Sequence, residues 1–330
     1  MMSRPKSVVT FLGRHAARLA VALALPLALA APHAATAQSC TATGPTLSLG
    51  TVNPYVGTST TTSGNGTYSC TNPTAAAITA YACVSIGTGT GGTTAVSRTL
   101  LSGTTKLPIQ INSGGVTPQI GNGTSYPMKG PIIFTAAANS NVSGTFSLAV
   151  TTPPPSPAPP PGSYTSSFAG TDAQFIYYTG SGSTTCATLN AATHFTTQAN
   201  FSISATVPTQ CKVSSTSLAF PTTSVLKTAV DATATVSVTC NTATPVTIAL
   251  DNGVTGTGPT TRQMKSGTNA ITYGIYRDVG ATSPWGKTVN TDTAPLSNGT
   301  GTLTAYGRVP AQASPPPGTY SDVVNIIVTY

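Results

Sequence analysis

Six cysteines, Cys40, Cys70, Cys83, Cys186, Cys211 and Cys240, are the residues whose type and spacing most directly suggest chemistry. None of the spacings suits a zinc site. An even set of cysteines in an exported chain is instead the pattern of structural disulfides. Acid and base groups are scarce. Beyond the first 37 residues there is one histidine, His194, no glutamate, and six aspartates spread from Asp172 to Asp322. His194 lies in a Thr- and Ala-rich stretch with no neighbouring carboxylate. An enzyme needs titratable groups that can be brought together, so a secreted hydrolase is disfavoured. The glycines fall in β-turns without a following helix, which is not the pattern of a phosphate cradle. The sequence points to no catalytic residue, no metal and no cofactor.

Residues 1–37 read as an export signal. Arg4, Lys6, Arg14 and Arg18 form a basic start, Leu19 to Ala30 is an apolar run, and Ala35-Thr36-Ala37 is a small-x-small cleavage site. The apolar run is too short for a membrane span. Without this segment the chain carries ten Lys and Arg against six Asp, a net charge of +4. These bases are dispersed rather than clustered with aromatics, so nucleic acid is not an expected partner.

The remaining sequence is rich in Thr, Ser, Gly, Ala and Val and poor in charge. Such residues suit pleated, half-buried surfaces better than helices. Turn signals recur about every ten residues, as in an all-β sandwich or barrel. Almost no helix is expected.

An internal repeat organises these strands. Cys40 to Cys70 and Cys211 to Cys240 have nearly equal spacing, and each span ends in an alternating run. Arg98-Thr99-Leu100-Leu101-Ser102-Gly103 answers Arg262-Gln263-Met264-Lys265-Ser266-Gly267. Leu107, Ile109 and Ile111 fall on Ile271, Tyr273 and Ile275, and Pro159 to Tyr164 falls on Pro315 to Tyr320. The reading is of two immunoglobulin-like β-sandwich domains, residues 38–207 and 208–330. The repeat pairs Cys40 with Cys70 and Cys211 with Cys240, leaving Cys83 for Cys186. Each short pair closes a loop of about 30 residues, for which chain entropy gives roughly 3.5 kcal/mol. The Pro-rich run 153–161 is read as a loop feeding a strand, because its counterpart lies inside the second copy.

The copies differ at their ends. The first continues through Cys186 into a segment where Thr197, Ala199, Phe201, Ile203, Ala205 and Val207 alternate with polar residues, a strong strand signal. The second stops on the apolar strand Ser321 to Tyr330. The C-terminal sandwich is therefore expected to lack its last strand. Val324, Ile326, Val328 and Tyr330 would form the edge that accepts a donor. Both faces of that strand are expected to be buried, with Val323 and Ile327 on the other face.

The second copy resembles the spore coat protein U domain of subunits of archaic, Csu-type chaperone-usher pili. The resemblance rests on Cys211-Lys212-Val213, Val236 to Cys240, Pro245 to Gly253, Ile271 to Asp278, Trp285-Gly286, Tyr306 to Ala311 and Pro317 to Tyr330. The first copy matches in fewer blocks. The resemblance implies a two-domain tip adhesin, displayed on the cell surface at the pilus tip and active in surface attachment and biofilm formation. Its partners would be a periplasmic chaperone, an outer-membrane usher, an adjacent pilin subunit that donates a strand, and an abiotic or host surface. Shaft subunits of the family carry a donor extension before their first cysteine. Here cleavage after Ala37 would leave only Gln38 and Ser39, which suits a terminal position. By the same comparison, Phe201, Ile203, Ala205 and Val207 occupy a donor position and would complete the first copy from within. A coat or shaft component without a recognition surface is the alternative.

Adhesion would then fall to loops of the first copy, where apolar residues on a polar surface mark interaction sites. The candidates are Tyr55 and Val56, the glycine-rich Gly87 to Gly92, and Val116, Ile120 and Tyr126 in the stretch from Val116 to Met128.

Overall fold

The computed structural model describes residues 38–94, 97–113, 119–124, 126–179, 185–191 and 194–330. Residues 1–37, read above as an export signal, and Val116 lie outside them. The fold is all-β, two immunoglobulin-like sandwiches in tandem.

Among the described residues twelve strands build the first: β1 (Ser39–Thr43), β2 (Thr46–Thr51), β3 (Thr60–Asn72), β4 (Ile78–Ile86), β5 (Arg98–Ser102) and β6 (Thr105–Asn112), then β7 (Lys129–Ala136), β8 (Ser140–Thr152), β9 (Gly162–Phe168), β10 (Ala173–Thr179), β11 (Phe195–Gln198) and β12 (Phe201–Val207). One sheet runs β1-β3-β8-β6-β5-β9-β12-β2, and the facing sheet runs β11-β10-β4-β7. Alternation of Thr or Ser with apolar residues decides the layering. In β12 the burial alternates at every residue, with Phe201, Ile203, Ala205 and Val207 inward. Tyr68, Leu100, Leu107, Ile109, Ile111, Leu148, Tyr164, Phe168 and Phe175 fill the core between the sheets.

The second sandwich has eight strands: β13 (Cys211–Ser215), β14 (Val230–Cys240), β15 (Val246–Leu250), β16 (Arg262–Ser266), β17 (Asn269–Tyr276), β18 (Ala294–Leu296), β19 (Thr300–Val309) and β20 (Ile326–Thr329). They form the sheets β13-β14-β19-β17-β16 and β18-β15-β20 around a separate core centred on Val236, Ile248, Tyr273, Ile275 and Trp285.

Disulfides join Cys40 to Cys70, Cys83 to Cys186 and Cys211 to Cys240. The two short-loop bonds lie directly across the strand pairs β1/β3 and β13/β14, so each clamps a sheet edge at its first residues.

Among the described residues helix is nearly absent, as expected, and one short helix, α1 (Cys186–Ala191), follows β10. The Cys83–Cys186 bond and a small apolar cluster of Met128, Ile176 and Leu189 hold it against the four-stranded sheet. One difference from the sequence reading is that the alternating run 197–207 is two strands. β11 pairs with β10 in one sheet, and β12 pairs with β9 and β2 in the other. The chain changes layer at Ala199 and Asn200, where the buried Ala199 donates its N–H to Ala173 O (2.9 Å). The run keeps its period of two through the crossing, so its pattern carries no mark of the change.

Candidate strand-acceptor groove

In the first sandwich β12 fills a slot between β9 and β2. It runs antiparallel to β9, with Phe201 opposite Phe168, Ile203 opposite Ser166 and Val207 opposite Gly162. On its other side it runs parallel to β2, with Ile203 opposite Leu47. Phe201 stacks on Phe168 at 4.6 Å between ring centroids. Transfer of Phe201, Ile203 and Val207 from water contributes roughly 1.5 to 3 kcal/mol each.

The repeat gives each wall of this slot a counterpart in the second sandwich. Leu47 and Leu49 correspond to Leu218 and Phe220, Leu100 to Met264, Tyr164 to Tyr320, and Phe168 to Val324. All five first-copy residues are buried; all five counterparts are only half-buried. Between them lies a groove of about 320 Å³, lined by Leu218, Phe220, Met264, Tyr273, Tyr320, Asp322, Val324 and Ile326, among others. The segment holding Tyr320 to Val324 is tied to its neighbouring strand by one bridge. Lys265 N–H donates to Ser321 O (2.8 Å), and Ser321 N–H donates to Lys265 O (3.1 Å). The wall formed by residues 216–222 carries no assigned strand.

The groove floor is partly polar. The Tyr273 hydroxyl donates to Asp322 Oδ2 at 2.8 Å, and Asp322 Oδ1 accepts the Val254 N–H at 3.0 Å. Burial, reinforced by the Asp322 carboxylate, pushes the Tyr273 hydroxyl pKa upward, so the phenol stays a neutral donor. Behind it Arg262 is fully buried. Its Nε donates to Asp251 O (2.8 Å), Nη1 to Pro259 O (2.6 Å), and Nη2 to Leu250 O (3.3 Å) and Trp285 O (2.8 Å). Arg98 sits at the equivalent place in the first sandwich. Arg98 holds the end of β4 through Ile86 O and Gly87 O, and Arg262 holds the end of β15 through Leu250 O and Asp251 O. The repeat marks both positions in the sequence, but nothing in the sequence shows that they are buried.

The terminal segment serves as the groove wall only in part. Val324 and Ile326 line the groove, but Val328 lies opposite Ile248 in the pairing of β20 with β15, and Tyr330 is exposed. Val323 (65% exposed) and Ile327 (42%) face outward, so the strand is not buried on both faces. β20 is the last strand of its sheet and pairs only with β15, so its outer edge is open as well. The groove is lined by the segment before β20, the counterpart of β9, and by Ile326 at the start of β20.

The loop candidates do not converge. The loop holding Tyr55 and Val56 leaves β2 beside the end of β12, where Val52 N–H donates to Thr206 O (2.9 Å) and Val207 faces the start of β9. Val56 is exposed (45%), while Tyr55 is half-buried. The loops holding Gly87 to Gly92 and Ile120 to Tyr126 meet at the opposite end of β9. There Thr90 N–H donates to Ser167 O, and Ile86 N–H to Gly121 O. Ile120 is 3% exposed and packs in the core, its N–H donating to Ile111 O (2.7 Å), so it presents no adhesive surface. A sequence signal for a loop does not reveal a residue that turns back into the sandwich. Among the described residues there is no cluster of three or more potential metal ligands and no helix long and apolar enough to cross a membrane.

Comparison with known proteins adds a family. The Spore Coat Protein U domain matches residues 27–171 and again residues 197–327. Among solved structures, the chain is similar to one in the CsuC-CsuE chaperone-tip adhesion subunit pre-assembly complex from archaic chaperone-usher Csu pili of Acinetobacter baumannii. That match has 16% identity and a TM-score of 0.46 over 88% of this chain and 100% of the other. Similarity to the CupB6 tip adhesin from Pseudomonas aeruginosa is 11% identity with a TM-score of 0.33, over 88% and 93% of the two chains. A search of curated proteins found no match. With two matched stretches covering most of its length, the chain belongs to the Spore Coat Protein U domain family.

Proposed function

We propose that this chain is the tip adhesin subunit of a chaperone-usher pilus, with an adhesin sandwich at residues 38–207 and a pilin sandwich at 208–330. One observation carries the reading: a slot filled by the chain's own β12 in the first sandwich is an open apolar groove in the second. A subunit with one filled slot and one open slot takes one strand from outside. By the register of β12, that strand lies antiparallel to residues 318–324 and parallel to 217–222. Alternate apolar side chains on it meet Leu218, Phe220, Met264 and Val324. A periplasmic chaperone supplies it first, and the adjacent pilin supplies it after passage through the outer-membrane usher. The subunit is exported and ends at the cell surface, where the first sandwich contacts an abiotic or host surface. Val56, exposed beside the half-buried Tyr55, is the foremost contact in the 52–59 loop.

Residues 208–330 produced in the periplasm are expected to aggregate or be degraded. The same fragment carrying a flexible linker and a copy of Asn200 to Val207 is expected to be soluble. A stable, cooperatively folding fragment without the added strand would contradict the reading. The coat-protein family description favours a second reading, a structural coat or shaft subunit. Sequencing the mature N-terminus separates the two, since a start well before Gln38 leaves room for a donor extension.

A further inference from the structure

The two buried arginines differ in one respect. Every arm of the Arg262 guanidinium has a carbonyl partner. Arg98 is 5% exposed; its Nε donates to Gly87 O and its Nη2 to Ile86 O (2.7 Å), but its Nη1 is buried with no partner. In the second sandwich that arm is met by Pro259 O. A buried cationic donor left unmade costs more than an ordinary missing hydrogen bond, so such a group in a native fold calls for an acceptor from elsewhere.

Arg98 lines a cleft of about 250 Å³ together with Thr93, Thr94, Asn122 and Tyr126. We propose that this cleft binds a carboxylate carried on a hydroxylated molecule, an acidic sugar being the class that fits. The free guanidinium arm supplies a charge-assisted donor for a carboxylate oxygen. The exposed Thr93 hydroxyl and the Asn122 Nδ2 offer partners for sugar hydroxyls, the Asn122 Oδ1 already accepting the Thr124 N–H (3.1 Å), and the Thr94 hydroxyl, which donates to Ser97 O (3.2 Å), can accept one more. Charge sets the valence. Asp172 accepts the Thr88 N–H at 3.0 Å beside the cleft and partly offsets Arg98, which suits a monoanion better than a phosphate dianion. Size sets the length. A cleft just under the roughly 300–1,000 Å³ of typical small-molecule sites holds one ring rather than a chain. This assignment stands independently of the groove in the second sandwich.

Calorimetric titration of the full mature chain with galacturonate, galactose and acetate tests it. Galacturonate is expected to bind about ten-fold or more tightly than galactose, and more tightly than acetate. Asn122→Asp, at an exposed rim position, is expected to weaken galacturonate by about ten-fold with no change in the unfolding curve. Thr93→Val is expected to weaken galacturonate while leaving acetate unchanged. Equal binding of galacturonate and galactose, no saturation by galacturonate, or indifference to Asn122→Asp overturns the site. Acetate binding as tightly as galacturonate overturns the sugar class.

Discussion

Tyr164 and Tyr320 make the same hydrogen bond in two environments. Each hydroxyl reaches back four residues, Tyr164 to Pro160 O at 2.7 Å and Tyr320 to Pro316 O at 2.8 Å. Yet Tyr164 is fully buried and Tyr320 only half-buried. The difference is β12, which pairs along β9 and covers Tyr164, whereas nothing in the second sandwich takes that place along residues 318–324. Leu47 against Leu218 and Leu100 against Met264 tell the same story. Nearly the same local sequence therefore builds a closed core once and an apolar groove once, and a single strand accounts for the change.

The largest effect should come from breaking the filled slot. Ile203 is fully buried, and Ile203→Asp places a carboxylate in a dry core at a cost of more than about 4 kcal/mol. Trp285, the single tryptophan, is buried in the second sandwich and reports on it alone. Urea unfolding of this variant should lose the first sandwich's transition by circular dichroism and keep the Trp285 fluorescence transition. The mirror change, Val324→Asp, faces the open groove. It should shift the Trp285 transition by under about 1 kcal/mol while abolishing capture of a donor peptide.

A smaller effect separates the tyrosines. Tyr164→Phe removes a donor in a closed core and should cost about 1 to 2 kcal/mol, whereas Tyr320→Phe should cost about 0.5 kcal/mol or less. Equal costs in chemical denaturation would mean that the two environments are alike.

The smallest effect lies on the solvated face. Arg308 pairs with Asp231 at 2.7 Å on exposed sheet surface. Hydrogen bonding to Arg308 holds the Asp231 carboxyl below its ordinary pKa despite slight desolvation. A depressed carboxylate contributes stability that is present above its unfolded pKa of about 3.9 and is lost as pH falls through the folded value. Exposure limits the contribution to about 1 kcal/mol or less. Asp231→Asn should therefore lower stability slightly at pH 7 and not at pH 2, as read from Trp285 unfolding curves.

The fold class was legible because Thr/apolar alternation and regularly spaced turns leave few alternatives to a sandwich, and the family was legible from the blocks around Cys211 to Cys240 and Tyr306 to Ala311. The groove's position was harder to read. Residues 323–330 are mostly apolar, and only the register of β20 on β15 shows Val328 opposite Ile248 while Val324 lines the groove. Ile120 illustrates the converse, an apolar loop residue whose backbone bond to Ile111 folds it inward. The roles of Arg98 and Arg262 depend on carbonyls brought together from separate strand ends and loops, a proximity that no local pattern encodes.

Hydrogen exchange on the full mature chain tests the central claim most directly. The measurement compares backbone amides of residues 162–168 with those of 318–324, before and after addition of a peptide copying Asn200 to Val207. The account predicts slow exchange at 162–168 throughout. It predicts fast exchange at 318–324 that slows on peptide addition, as the new strand pairs with that segment. Equal protection of the two segments without peptide, or no change at 318–324 on saturation, would contradict it.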